Sequence, residues 1–127
     1  MAEFKYLNDT HREYFCDFYS KNMGGFSLAS AAYLVALAAA EDTPSLLEDV
    51  RVRGEEDYYL DFDKVDFTKL DKYQIDMLLL ANHLLAGATE YKGYRLKPLY
   101  YLFGYNVCCY AEYLLEAIKI RYQLFDD

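Results

Sequence analysis

The chain has no tryptophan, and among its 127 residues only two histidines, three cysteines and two prolines. Each scarcity excludes something. Two histidines without a Cys-x-x-Cys pair leave too few ligands for the common structural zinc frameworks. His11 and His83 read as packed side chains with a bonded ring nitrogen, since nothing local supports a Cys/His nucleophilic pair at either. Cys16, Cys108 and Cys109 are odd in number, and the vicinal pair would bridge only with difficulty because adjacent helical side chains point apart. Free thiols of this kind are usually small buried hydrophobes in a reducing compartment. Gly24-Gly25 lacks the lysine and further glycines of a phosphate loop and reads as a plain turn. The longest apolar stretches, residues 31–40 and 77–81 with its continuation, fall short of a membrane span. Residues 1–6 lack an apolar h-region, so no signal peptide is expected. A cytoplasmic protein without cofactor, metal ligand set or catalytic residues is the expectation.

What is present is apolar surface, tyrosine and acid. Hydrophobic residues make up 54% of the chain, enough for one domain that buries roughly two-thirds of its unfolded surface. Fifteen tyrosines and eight phenylalanines suggest rings lining the rim of a helical core, with the phenolic tips wet. The acid is concentrated. Residues 41–76 hold twelve acids against five bases, a net −7 of the chain's −8. Such a local field repels nucleic acid and suits a basic protein surface.

Periodicity predicts helices. Asn8 or Thr10 opens the first, with Thr10 and Glu13 at capping-box spacing and Leu7, His11, Tyr14, Phe15 and Phe18 on one face. Ser27 is expected to cap a second, buried helix running to Ala40, and Pro44 to start a short third to about Val50. Residues 51–67 read as an extended acidic connection holding at most one short strand, with Leu60 and Phe62 turned inward. Asp71 or Thr68 opens a helix to Ala86, stopped by Gly87 and expected to be the central one. A turn at Lys92-Gly93 follows, then one aromatic turn from Pro98 to Gly104. The last helix is expected to be capped by Asn106, with Val107, Ala111, Leu114, Leu115, Ile118, Tyr122 and Phe125 as its face. The fold class expected is all-α, a compact single-domain bundle of about five helices over residues 1–127.

Asp61-Phe62-Asp63 resembles the start of a calcium loop. Val65 and Asp66 stand where the third ligand and the glycine belong, and Lys72 where the bidentate acid belongs, so an EF-hand is rejected. The partner-binding residues singled out are Glu55, Glu56, Asp57, Tyr58, Tyr59, Asp61, Asp63 and Asp66. Carboxylates along an extended stretch can imitate a phosphate backbone towards a Lys/Arg-rich groove, and tyrosines add anchoring area at low entropy cost. The competing interpretation is a solvated loop that keeps the protein soluble. Lys92, Arg95 and Lys97 form a small basic cluster beside Tyr91 and Tyr94, read as a solvated loop and not as a nucleic-acid site.

Three stretches carry a likeness: Leu7-Asn8-Asp9-Thr10-His11-Arg12-Glu13-Tyr14-Phe15, Leu79-Leu80-Ala81-Asn82-His83-Leu84-Leu85-Ala86-Gly87 and Leu115-Glu116-Ala117-Ile118-Lys119-Ile120-Arg121-Tyr122. Together and in this order they resemble a small family of helical proteins of Gram-positive bacteria, their plasmids and phages, known as a domain of unknown function. The Asn-x-x-His opening is the most distinctive element. The resemblance implies a helical fold and a mobile-element setting, and no activity. The acidic, tyrosine-rich middle departs from it. The function preferred from the sequence is a non-enzymatic acidic interaction protein of a phage or mobile element. Its target would be a basic surface such as the nucleic-acid channel of a host defence nuclease, in the manner of an anti-CRISPR inhibitor. The alternative is a small enzyme or ligand-binding regulator with a tyrosine-lined pocket near His11.

Overall fold

The computed structural model describes residues 4–22, 24–105 and 110–124. Asn106, Val107, Cys108, Cys109 and Phe125 therefore lie outside the described residues. The elements are α1 (Asp9–Asn22), α2 (Phe26–Ala40), α3 (Leu46–Asp49), β1 (Arg51–Arg53), β2 (Tyr59–Asp61), a 3-10 turn (Phe67–Lys69), α4 (Lys72–Ala86), β3 (Glu90–Tyr91), β4 (Tyr94–Arg95), α5 (Leu99–Tyr105) and α6 (Ala111–Tyr122). The fold is mostly helical, but it is not all-α. Two antiparallel hairpins, β1–β2 and β3–β4, interrupt the helices.

The central helix is α2, not α4. Every side chain from 28 to 39 is buried, and α1, α4 and α6 all pack on it. Its composition explains why. Ala29, Ala31, Ala32, Ala36, Ala38 and Ala39 project little, so three neighbours can approach one helix without leaving voids. The longer apolar row of α4 packs mainly on α2, with β2 and α6 covering less of it, and leaves Lys72 and Ala86 exposed.

The caps follow local chemistry. Asn8, not Thr10, caps α1: its Oδ1 accepts from the His11 N–H at 2.8 Å. Ser27 does not cap α2; Gly25 occupies that position without a side-chain bond, and the Ser27 carbonyl accepts from Ser30 Oγ. Asp71 caps α4 in a reciprocal box with Gln74, and Gly87 closes the helix in the left-handed conformation, at φ 74°. Gln74 reaches further. Its Nε2 donates to the Ala38 and Glu41 carbonyls and to Thr43 Oγ1, closing the C-terminal end of α2 from the side.

On α6 the buried face is Leu114, Ala117 and Ile120 with Glu116, while Leu115 and Tyr122 turn outward. The sequence offsets merged these two faces, because both are apolar. Cys16 is exposed, contrary to the expectation of a buried thiol, since it lies opposite His11, Phe15 and Phe18 on α1.

Candidate functional site

The acidic middle is a hairpin and not a loose connection. Val52 pairs with Leu60, Arg53 with Tyr59 and Arg51 with Asp61. Gly54 starts the connecting loop at φ 103°, where a Cβ would stand 2.1 Å from the Asp57 carbonyl oxygen, so only glycine fits this turn. The signal was legible in part: Val50 and Val52 alternate with Arg51 and Arg53 directly before that glycine, which is strand patterning. Opposed bases on β1 obscured it.

Two anchors fix the hairpin to the body. Leu60 is buried on α4, and the Asn82 side chain of α4 accepts from the Leu60 N–H at 2.9 Å. Further along, Phe62 and Phe67 meet Tyr91 and Tyr94 of the second hairpin, with ring centroids 5.0 Å apart for Phe62–Tyr91 and 4.8 Å for Phe67–Tyr94. Lys92 and Gly93 both have positive φ, as a two-residue primed turn needs, and this turn brings the Lys92 ammonium to Asp63. Asn82→Ala removes the first anchor and strands a buried N–H. Unfolding stability in urea is expected to fall by about 2 kcal/mol, with faster amide exchange at β2 than at α2.

The eight singled-out residues divide. Asp61 pairs with Arg53 at 3.3 Å and accepts from the Asp63 N–H. Asp63 takes Lys92 Nζ at 2.8 Å and the Tyr91 hydroxyl at 2.7 Å, and these partners hold its carboxyl below the ordinary range. Asp66 accepts from the Thr68 hydroxyl and N–H, which lower it likewise while capping the 3-10 turn. These three carboxylates organise the chain. Glu55, Glu56 and Asp57 lie at the exposed hairpin tip and form no ion pair among the described residues. Tyr58 and Tyr59 adjoin them, 45% and 49% exposed. The tip therefore carries three uncompensated acids beside two open rings.

The basic cluster is also paired internally. Lys92 meets Asp63, Arg95 meets Glu90, and Lys97 meets the buried carboxylate of Asp76 at 3.4 Å. An open groove of about 530 Å³ runs past Ile75, Leu79, Tyr94, Leu96 and Pro98. Among the described residues no group of three His, Cys, Asp or Glu could hold a metal, and no helix is long and apolar enough to cross a membrane.

His11 is enclosed. Its Nδ1 accepts from the Leu7 N–H at 3.0 Å, so the proton sits on Nε2, which donates to the Tyr33 carbonyl at 3.0 Å. Tyr6, Tyr33 and Tyr113 surround the ring edge-on. Burial pushes its pKa down to about 4. The Tyr33 hydroxyl donates to the Lys5 carbonyl, and the Lys5 N–H to the Glu116 carboxylate. Burial first, and then the Glu116 charge, raise the Tyr33 phenol. His11 thus ties Leu7 to α2 with both ring nitrogens spent, while Tyr33 and Glu116 hold Lys5. Comparison with family models, with curated proteins and with solved structures gives no match.

Proposed function

We propose that the chain is a non-enzymatic interaction protein that docks on a basic protein surface through the tip of the β1–β2 hairpin. The observation that carries this reading is the trio Glu55, Glu56 and Asp57, exposed and without an ion pair among the described residues, next to the open rings of Tyr58 and Tyr59. Uncompensated charge steers association, and rigid aromatic rings give the contact its area. The hairpin is anchored at its base by Leu60 and Asn82, so little ordering entropy remains to be lost on docking. The setting we assign is the cytoplasm of a Gram-positive bacterium. There the partner is the nucleic-acid channel of a defence nuclease, inhibited in the anti-CRISPR manner. That setting rests on the family resemblance alone. The alternative, an enzyme or ligand-binding regulator centred on His11, draws no support from that residue, because both of its ring nitrogens are already bonded.

The division of the carboxylates decides the test. Neutralising Asp61, Asp63 and Asp66 would loosen the fold, whereas Glu55→Gln/Glu56→Gln/Asp57→Asn touches only the tip. Capture from a nuclease-treated bacterial lysate with both proteins is expected to yield one basic nucleic-acid-binding protein on the wild type and none on the triple variant. A partner retained equally by the triple variant would overturn the assignment.

A further inference from the structure

A second surface is independent of the hairpin. On α6 the bundle buries Leu114, Ala117 and Ile120, and the adjoining side carries Ala111, Leu115, Ile118 and Tyr122, with Ile118 also packed against the core. At 100° per residue these four lie within about 60° of arc. Leu115 is 45% and Tyr122 55% exposed, and Ala111 and Ile118 are half-buried. Their spacing of four, three and four is that of a two-helix seam.

We propose that this stripe pairs with the same stripe of a second copy, the two α6 helices running antiparallel and crossing at the level of Glu116 and Ala117. The stripe is self-complementary in that orientation. Leu115 of one copy meets Ile118 of the other, and the small Ala111 meets the large Tyr122, so volumes match along the seam. Charge selects the same arrangement. Glu112 and Lys119 flank the stripe on one side; antiparallel pairing sets each Glu112 against the Lys119 of the other copy, twice. A parallel pair would put the two Glu112–Lys119 flanks on opposite sides of the seam, where they cannot meet. Glu112 already meets Lys5 at 3.5 Å, but both side chains are 58% exposed, so that pair is weak and exchangeable. On the other flank Arg121 is turned inward, donating to the Leu84 carbonyl, and does not oppose the approach. The helix holds two acids and two bases, Glu112, Glu116, Lys119 and Arg121, so the chain's acidity is not concentrated here.

One pair of short helices is a small interface, so the dimer is weak and depends on concentration. Sedimentation equilibrium of the full chain tests it, together with Glu112→Lys and Lys119→Glu made separately. The wild-type mass is expected to climb from 14.9 kDa towards twice that value with concentration. Each charge reversal sets like charges together at two places and is expected to weaken self-association at least about tenfold. Mixing the two variants in equal amounts restores opposite charges at both places and is expected to recover a heterodimer of wild-type affinity. A chain that stays monomeric up to about 1 mM, or a dimer indifferent to both reversals, would overturn the proposal. A mixture no tighter than its components would overturn it as well.

Discussion

Acidification from pH 6.5 to pH 4 is expected to remove about 3 kcal/mol of folding stability through His11 alone. In the folded protein, burial keeps the imidazole neutral down to about pH 4, whereas the unfolded chain takes up its proton near 6.5. Unfolding therefore binds a proton in this window. The stabilisation is complete above 6.5 and shrinks as pH falls, until the folded state itself protonates and the Leu7 N–H loses its acceptor. Urea unfolding of the wild type and of His11→Gln across this range isolates the effect. The variant is expected to begin about 2 kcal/mol less stable, since the Leu7 N–H is stranded, and to show a correspondingly flatter pH dependence. Parallel pH profiles for the two proteins would show that His11 is not the titrating group.

Gln74→Leu is expected to cost about 3 kcal/mol at neutral pH, although the substitution roughly conserves volume. The amide of Gln74 donates to two carbonyls and a hydroxyl at the end of α2, and its oxygen completes the Asp71 cap of α4. Leucine fills the space and satisfies none of them. Gln74→Glu is expected to be worse still at pH 7. It keeps the acceptor for the Asp71 N–H but points a buried carboxylate at two carbonyl oxygens, with only the Thr43 hydroxyl able to donate to it. The order wild type, Gln74→Leu, Gln74→Glu in denaturant midpoint is the expected outcome. Equal midpoints would mean that water, and not Gln74, satisfies the end of α2.

Much of the helical frame was legible in the sequence. Caps and stops such as Asn8, Asp71 and Gly87 act within a few residues, and the apolar run of 28–39 left no solvent face for α2. Two short motifs also gain a physical meaning. In Asn8-x-x-His11 the asparagine caps the helix on which the histidine stands, and the histidine clamps the segment before it. Asn82, inside an apolar run, is the acceptor that holds β2. What stayed hidden depends on distant partners. Asp61 and Asp63 look alike in sequence to Asp57, and only the arrival of Arg53 and Lys92 converts them from free charges into braces. The two apolar faces of α6 could not be separated by periodicity, because α2 decides which one is buried. Identifying α2 as the centre required weighing small side chains against large ones, since the bulkier α4 looks more hydrophobic and yet can be approached from fewer sides.

The central claim is that three tip carboxylates drive association with a basic partner. Its most direct test is the association rate of the purified chain with its captured partner, followed across ionic strength for the wild type and for Glu55→Gln/Glu56→Gln/Asp57→Asn. Fast wild-type association that slows steeply with salt, and slow variant association that hardly responds, is the result predicted. Equal rates and equal salt dependence for the two proteins would contradict it and would leave the acidic hairpin a solvating feature of the fold.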